Sequence, residues 1–243
     1  MNIQALQQIQ NKTIKQYRKN PVELLKWLKN NLPNEKIVMG TGFGPPGIVL
    51  LDMLFKVTSD ISVFYIDTGF LFDQTYDLKD ELQEKYGFQF IRLSTELTPE
   101  MQAKEYGEAL WKQNPDSCCN IRKVAPLKTA LEDFDVWITG IRKKQTQVRN
   151  QADLIEFESR FEVIKINPLI SWTHADVWDY IKRYNLPYNP LHDNSYPSIG
   201  CKQCTSPVCD GDDDRSGRWK GLNKTECGLH HNNNIEINGF KGK

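Results

Sequence analysis

Short apolar runs and longer amphipathic stretches follow one another along most of the chain. Residues 21–31 carry apolar side chains at helical spacing behind Pro21, which predicts a helix that begins at this proline. The apolar run Lys36–Met39 predicts a buried strand and leads into the glycine-rich stretch Gly40–Gly47. A helical pattern resumes over Ile48–Lys56. This order predicts a strand, a loop and a helix.

The same alternation continues towards the middle of the chain. Ser62–Ile66 predicts a second strand, and a helical pattern follows it from about Leu71 to Tyr86. Phe88–Leu93 and Asp135–Thr139 predict a third and a fourth strand. Strands that alternate with helices are typical of a parallel sheet flanked by helices on both faces, so we predict an α/β fold of that kind.

Two further elements are predicted before the periodicity is lost. The runs Leu154–Phe157 and Phe161–Ile166 predict a hairpin with Glu-Ser-Arg at its bend. Thr173 is the candidate N-cap of a helix that follows the hairpin. Beyond Leu186 the chain shows no regular pattern, which predicts an irregular tail.

Composition places the chain among ordinary globular proteins, with 39% hydrophobic and 26% charged residues. A length of 243 residues suits one domain. We predict its α/β part over residues 1–185, with residues 1–20 as a peripheral segment, and the active-site tail of the same domain over residues 186–243. The 31 basic and 31 acidic residues cancel, so no nucleic acid or membrane partner is expected and anions must be bound by local clusters.

The sequence shows no membrane-spanning or secretory signal, and together with the cysteine usage this predicts a cytoplasmic protein. No apolar run approaches the roughly 20 residues that span a bilayer. Residues 1–20 are rich in Gln, Asn and Lys and lack the apolar centre of a secretory signal. In a reducing cytosol, spaced cysteines are more often metal-binding or catalytic than disulfide-bonded. The sequence leaves a homo-oligomer open.

Four of the six cysteines form two close pairs, Cys118-Cys119 and Cys201-Lys-Gln-Cys204. A Cys-x-x-Cys pair can direct two thiolates at one metal centre, whereas adjacent cysteines need an unusual local conformation to do so. Together the pairs supply the four thiolates of a structural zinc or an iron–sulfur cluster, and the spacing leaves both open. Buried core residues at the first pair and a redox couple at the second are the alternatives.

Cys227 lies apart from these pairs, in Glu226-Cys-Gly-Leu-His230. It is a candidate nucleophile because the glycine-rich tail around it contains Arg215 and Arg218, whose charge could meet a thiolate over a bound anion. A thiol without a function is the alternative. His230 is a candidate general base, with a structural role as the alternative, and Cys209 is predicted to be a spare thiol of the tail.

Several separate motifs, spread from about residue 35 to residue 231, resemble the assimilatory adenylyl-sulfate and phosphoadenylyl-sulfate reductases. The motifs are Tyr65-Ile-Asp-Thr-Gly69, Cys118-Cys-Asn-Ile-Arg-Lys-Val-Ala-Pro-Leu127, Thr139-Gly-Ile-Arg142, Trp172-Thr-His-Ala-Asp-Val-Trp178, Tyr196-Pro-Ser-Ile-Gly-Cys-Lys-Gln-Cys-Thr205, Asp214-Arg-Ser-Gly-Arg-Trp219 and Glu226-Cys-Gly-Leu-His230. The resemblance implies a fold like that of the adenine nucleotide alpha hydrolases, with residues 1–185 as the nucleotide-binding part.

The cysteine content divides this family. Members that have both cysteine pairs carry a four-iron four-sulfur (4Fe-4S) cluster and usually reduce adenylyl sulfate, whereas members that lack the pairs reduce phosphoadenylyl sulfate. The resemblance therefore implies a 4Fe-4S cluster on Cys118, Cys119, Cys201 and Cys204.

The resemblance also implies a reaction. In the family the C-terminal cysteine, here Cys227, attacks the sulfur of the substrate sulfonate, expels AMP and becomes a cysteine S-sulfonate. The thiolate of thioredoxin then attacks the Cys227 sulfur and releases sulfite. We therefore expect a thioredoxin-dependent adenylyl-sulfate reductase of sulfate assimilation and cysteine biosynthesis.

An anionic substrate needs cations, and the resemblance places several near the site. Arg215 and Arg218 are the predicted clamp on phosphate and sulfate oxygens, and the alternative is an exposed pair that balances Asp212–Asp214. Lys123 is predicted to link cluster and substrate electrostatically, and the alternative is a lysine on a helix surface. The other predicted substrate-binding residues are Thr41, Gly42, Gly44, Asp67, Gly140, Arg142 and Arg149.

The glycine-rich loop departs from the family pattern, which usually has a serine, small residues and an acidic pair. Pro45 and Pro46 each remove an amide donor from Gly42–Gly47. How a 3′-phosphate is excluded or admitted is therefore left open. Phosphoadenylyl sulfate as the substrate, or dual specificity for both compounds, stays the alternative. An ATP pyrophosphatase would need a Ser-Gly-Gly-x-Asp-Ser loop, which this chain lacks, and a non-enzymatic iron–sulfur sensor would need no nucleophile.

Overall fold

The computed structural model describes residues 16–230, so most of the predicted peripheral segment and the end of the predicted tail lie outside the described residues. The helices, in chain order, are α1 (Pro21–Asn31), α2 (Pro45–Val57), α3 (Asp73–Tyr86), α4 (Pro99–Tyr106), α5 (Leu110–Gln113), α6 (Pro115–Cys119), α7 (Ala125–Leu131) and α8 (His174–Arg183). A π-helical turn, Asn120–Val124, joins α6 to α7. Short 3₁₀ turns lie at Lys143–Gln145, Val148–Gln151, Pro190–Asn194 and Lys202–Cys204.

The strands form one sheet in the order β3-β2-β1-β4-β6-β5. They are β1 (Ile37–Thr41), β2 (Ser62–Ile66), β3 (Ile91–Leu93), β4 (Val136–Ile138), β5 (Ile155–Glu158) and β6 (Val163–Ile166). Neighbouring strands are parallel except for β5 and β6, which form the antiparallel hairpin at one edge. The predicted parallel sheet and the predicted hairpin are both confirmed.

The two faces of the sheet each bury a separate apolar core, because successive strand residues point to opposite sides. Met39 of β1 and Ile138 of β4 belong to the larger core, which also contains buried residues of α1, α2, α3 and α8. Val38 and Trp137, their neighbours in sequence, belong to the smaller core with Leu127 and other residues of α7. Helices therefore cover both faces, as predicted.

Local sequence explains where the helices start. Pro21 occupies the first turn of α1, and the Asn20 side chain caps that helix. The predicted Thr173 cap of α8 is confirmed, because its hydroxyl accepts from the Asp176 N–H while the Asp176 carboxylate accepts from the Thr173 N–H. Helix α2 begins at Pro45, three residues before the predicted start at Ile48.

Between residues 88 and 131 the observed elements differ from the predicted ones. The third strand is shorter than predicted, since Phe88 and Phe90 precede it, where their rings pack on Phe55 and Phe43. Helices α4 to α7 were not predicted. They are short, so their apolar positions repeat too few times to give a clear period. Among the described residues no helix is long and apolar enough to cross a membrane.

Candidate functional site

The predicted site residues converge at the carboxyl edge of the parallel strands. Thr41 is the last residue of β1, Asp67 directly follows β2, and Gly140 lies just beyond β4. These strands are neighbours in the sheet, so the loops that follow them meet. A crevice at this edge is where open parallel sheets bind ligands.

The glycine-rich loop between β1 and α2 lies in this crevice. Phe43 adopts a left-handed conformation (φ 56°) and its buried ring packs 5.4 Å from the Tyr65 ring, so the loop turns sharply over the core. A Cβ atom on Gly140 would lie 3.2 Å from the Gly47 backbone nitrogen, so glycine there permits the β4 loop to approach. Gly42 and Gly44 each have open space where a Cβ would be, which leaves room for a ligand.

The two prolines of this loop occupy the first two positions of α2. Amide groups at those positions have no partner within a helix, so proline costs the helix nothing there. It does remove two donors from the end of the helix that could bind phosphate. The remaining amide donors at this end belong to glycines.

Asp67 organises the turn after β2. Its carboxylate accepts from the Gly69 N–H at 2.9 Å, from the Tyr76 hydroxyl at 2.7 Å and from the Arg92 Nε at 2.7 Å. Burial opposes ionisation, but these donors together hold its pKa below the ordinary range. Both oxygens are therefore engaged by protein groups, and direct substrate binding by Asp67 stays a prediction.

The four paired cysteines line one cavity. It is also lined by Phe70, Trp111, Pro115, Arg122, Lys123 and Gln203. Cys118 and Cys119 end α6 and the wider π-helical turn follows them directly, which is the unusual conformation that adjacent cysteines need to serve one centre. Cys201 and Cys204 flank the 3₁₀ turn on the other side. The structure thus brings together residues more than eighty positions apart in sequence.

The surroundings of this cavity fit a bound anionic cluster. Arg122 is buried and donates to the Thr68 carbonyl at 2.8 Å and to the Gln102 side chain at 2.6 Å, but its Nη2 has no partner among the described residues. The Trp219 indole N–H, beside Cys204, also lacks one. Donors of this kind stabilise thiolate and sulfide ligands.

The donor set is compatible with a 4Fe-4S cluster. Burial raises the pKa of Cys119 and of Cys204 to about 11, and a bound metal centre would favour their thiolate forms, which are the forms that bind metal. Within residues 16–230 no group of three or more His, Cys, Asp or Glu side chains is arranged to hold a single metal ion. In a 4Fe-4S cluster each thiolate binds a different iron atom, so ligands placed around a cavity suit it.

Ion pairs hold the tail around Cys227 to the rest of the chain. The buried Glu226 carboxylate accepts from Arg149 at 3.1 Å, from Arg215 at 3.3 Å and from the Thr146 hydroxyl at 3.1 Å. Burial opposes its ionisation, but the two guanidinium groups hold the pKa of Glu226 below the ordinary range. Upstream, Lys224 pairs with Asp116 at the start of α6.

Cys227, the predicted nucleophile, is thereby fixed beside the cysteine cavity and is partly exposed. Burial opposes ionisation of its thiol. The Lys123 ammonium, the Leu229 N–H and Arg149 outweigh both that burial and the Glu226 charge, so its pKa lies below the ordinary value. Burial also acts against Lys123, but neighbouring sulfurs raise its pKa, so it carries a full positive charge. These contacts therefore favour the thiolate form of Cys227 more than an ordinary cysteine environment does.

The predicted arginine clamp divides into two roles. Arg215 forms an ion pair with Glu226. Arg218 donates to the Ser198 hydroxyl at 3.3 Å, and its guanidinium carbon lies 4.6 Å from the centre of the Trp219 ring. Neither arginine side chain forms an ion pair with Asp212–Asp214 among the described residues, and the Arg215 side chain is only 18% exposed, which disfavours the alternative of an exposed, charge-balancing pair.

Three other cationic side chains of the described residues are not paired with a carboxylate and could bind a substrate anion. In the described part of the chain, Lys123, Arg142 and Arg218 have no carboxylate partner. Arg142 is buried, and its Nη1 reaches the Trp172 carbonyl at 3.4 Å while its Nε has no partner. The geometry therefore favours these three for substrate oxygens and assigns Arg149 to the tail.

The histidine at the end of the described chain is neutral. His230 stacks on Trp137, with ring centroids 5.3 Å apart. Burial and then the nearby charges of Lys165 and Arg149 lower its pKa well below the ordinary value. The structural role is favoured by this stacking. Cys209 is exposed, in keeping with a spare thiol.

Two residues of the site were not singled out from the sequence. Glu226 stood in a quoted motif without a role, and Arg160 was only part of the hairpin bend. Glu226 accepts from Arg149, 77 residues away, and Arg160 donates to Gly228, 68 residues away, so no local pattern could have identified these two contacts.

Comparison with known proteins shows the family of this chain. Residues 36–207 match the family model described as phosphoadenosine phosphosulfate reductase domain. The chain is 46% identical over 210 residues to adenosine 5′-phosphosulfate reductase 2 of Bacillus subtilis, covering 86% of this chain and 89% of the relative. It is 50% identical over 195 residues to adenosine 5′-phosphosulfate reductase of Oceanobacillus iheyensis, covering 80% and 81%.

Solved structures show the same fold. A phosphoadenylyl-sulfate reductase from Candida auris, in a phosphate complex, superimposes with a TM-score of 0.69 at 32% identity, covering 82% of this chain and 97% of that one. The FMN adenylyltransferase of Candida glabrata gives a TM-score of 0.55 at 15% identity, covering 82% and 68%, which shows likeness of fold alone. The fold predicted from the motifs, like that of the adenine nucleotide alpha hydrolases, is confirmed.

Proposed function

The chain belongs to the phosphoadenosine phosphosulfate reductase domain family of oxidoreductases, and on that premise we propose that it reduces adenosine 5′-phosphosulfate (APS) to sulfite and AMP in sulfate assimilation. The observation that carries the proposal is the position of Cys227, a partly exposed thiol of lowered pKa beside the Lys123 charge. Relatives at 43–50% identity named for APS support this substrate.

The first step uses Cys227 as the nucleophile. Its thiolate attacks the sulfur of the sulfonate, a sulfur–sulfur bond forms, and the bond from that sulfur to the phosphate oxygen breaks. AMP leaves with the electron pair of that bond. Lys123, Arg142 and Arg218 bind the phosphate and sulfate oxygens and stabilise the charge that develops on them.

The second step needs an external dithiol, and we propose reduced thioredoxin of the cytoplasm. One of its thiolates attacks the Cys227 sulfur, and sulfite leaves with the electron pair of the sulfur–sulfur bond. The second thiol of the donor then resolves the mixed disulfide and restores the Cys227 thiol. Each turnover oxidises one dithiol to a disulfide and reduces one sulfonate to sulfite.

We propose that Cys118, Cys119, Cys201 and Cys204 hold a 4Fe-4S cluster in the cavity that they line. When bound, the cluster supplies local charge that organises the site, because thiol exchange already provides both electrons. Arg122 lines the cavity and its Nη2 has no partner among the described residues, so it would be available to donate to the cluster. Lys123 lines this cavity, and its ammonium interacts electrostatically with the sulfurs of Cys201, Cys227 and Cys119.

A direct experiment tests the reaction and the substrate together. Purified protein with its iron is incubated with APS or with phosphoadenosine phosphosulfate (PAPS), and AMP release, sulfite and the intact mass are measured. We expect APS to add one sulfonate group to the protein and reduced thioredoxin to remove it. Faster turnover with PAPS would support the alternative substrate, which the similarity to the Candida auris enzyme keeps open. No adduct with either nucleotide would refute the proposal.

Glu226 provides a second test, because its carboxylate forms ion pairs with two arginines near the proposed anion site. We expect Glu226→Gln to lower turnover about tenfold to hundredfold, since the neutral amide no longer pairs with Arg149 and Arg215 and the tail docks less firmly. Inorganic sulfate should inhibit this variant more strongly, because both arginines lose their internal anion. The measurement is the inhibition constant of sulfate.

The exposed Glu132, at the end of α7, provides the matched control. Glu132→Gln should leave both turnover and sulfate inhibition unchanged. If sulfate inhibits Glu226→Gln and the parent protein equally, the two arginines do not face the anion site.

A further inference from the structure

Arg160 binds the tail directly beyond the nucleophile. It lies in the bend between β5 and β6, and its Nη1 donates to the Gly228 carbonyl at 2.7 Å. Its Nη2 reaches the Leu229 carbonyl at 3.3 Å. Gly228 and Leu229 are the two residues that follow Cys227, so one guanidinium group ties down the chain next to the reactive sulfur.

The Arg160 side chain is itself fixed. The Glu158 carboxylate accepts from Nε at 2.9 Å and from Nη2 at 3.0 Å, in the bidentate geometry that restrains a guanidinium group most firmly. Glu158 is buried in the edge hairpin. The guanidinium carbon lies 5.0 Å from the Phe161 ring. Arg160 therefore presents its donors to the tail from a rigid element.

The tail needs such an anchor at this point. Gly228 has a φ of +87°, a conformation that glycine enters and leaves readily, so the chain after Cys227 can swing unless it is held. On the other side of the nucleophile, Glu226 is bound by Arg149 and Arg215. Cys227 thus lies between two anchors, and Arg160 supplies the one on the C-terminal side.

We propose that Arg160 is a positioning residue that holds Cys227 over the substrate during sulfonate transfer. This inference rests on the proposed function. Arg160 acts only through the backbone of Gly228 and Leu229 and takes part in no bond-making step. The docked tail favours attack on the bound substrate, whereas the second step requires the modified sulfur to meet an external dithiol. Loosening the tail should therefore slow the first step and leave the second step as fast or faster.

The test measures the two steps separately. Arg160→Met keeps an unbranched aliphatic side chain but removes the guanidinium donors. Arg160→Lys keeps a positive charge but cannot form the bidentate hydrogen bonds. In single turnover with saturating APS, we expect sulfonate transfer to Cys227 to be about tenfold slower in Arg160→Met and to recover partly in Arg160→Lys. Release of sulfite from the preformed adduct by dithiothreitol should be unchanged or faster. The KM for APS should stay near that of the parent protein.

Arg183→Met is the matched control, since Arg183 is exposed at the end of α8. It should leave both steps unchanged. If the parent protein forms no adduct, the proposed function fails. If the parent protein forms the adduct and Arg160→Met forms it equally fast, only the role of Arg160 fails. Equal slowing of both steps would also overturn that role, because it would indicate a general loss of structure.

Discussion

We expect Cys227→Ser to lower APS turnover by at least about four orders of magnitude and to abolish the S-sulfonate adduct. The structure lowers the pKa of the Cys227 thiol, and serine has no comparable ionisation near neutral pH. A sulfate ester on serine would also resist thiol exchange, so the cycle could not close. Intact mass after incubation with APS, together with sulfite formation, measures both effects.

Cys209→Ser is the matched control for this substitution. Cys209 is exposed in the tail, so its replacement makes the same thiol-to-hydroxyl change without altering the site. It should retain the adduct and full turnover. An adduct that still forms on Cys227→Ser would show that another residue is the nucleophile.

We expect Lys123→Ala to lower turnover about 10²- to 10³-fold at pH 7, because one ammonium group serves both thiolate and substrate. Burial disfavours the Cys227 thiolate and Lys123 is the chief group that opposes this, so its removal raises the pKa of Cys227. The fraction of Cys227 that is ionised at pH 7 then falls. The rate of sulfonate transfer should still rise with pH, but the midpoint of that rise should lie at a higher pH than in the parent protein. The pH profile of sulfonate transfer measures the shift.

Iron and acid-labile sulfide content separates this electrostatic effect from loss of the cluster. The iron content and the acid-labile sulfide content should be the same in Lys123→Ala as in the parent protein, since the four proposed thiol ligands are intact. Lys128→Ala is the control, because Lys128 is exposed on α7, just beyond the π-helical turn. Normal turnover and an unshifted profile in Lys123→Ala would refute the role of this charge.

Local sequence signals predicted many of the helices and strands. The helix over 21–31 was predicted with its observed bounds because Pro21 marks its first turn and its apolar residues repeat at helical spacing. The second strand, Ser62–Ile66, was also predicted with its observed bounds. Thr173 was identified as a cap because capping depends on residues only a few positions apart.

The sequence by itself determined the family, the fold class and the types of residue at the site, since these are carried by short motifs and local periodicity. It could not show that Glu226 occupies Arg149 and Arg215, that a π-helical turn follows Cys119, or that Arg160 holds the chain beyond Cys227. These contacts of Glu226 and Arg160 join residues that lie 11 to 77 positions apart. Only the folded chain brings such groups within hydrogen-bond distance, so only the tertiary structure decided which cations hold the tail and which stay free for the substrate.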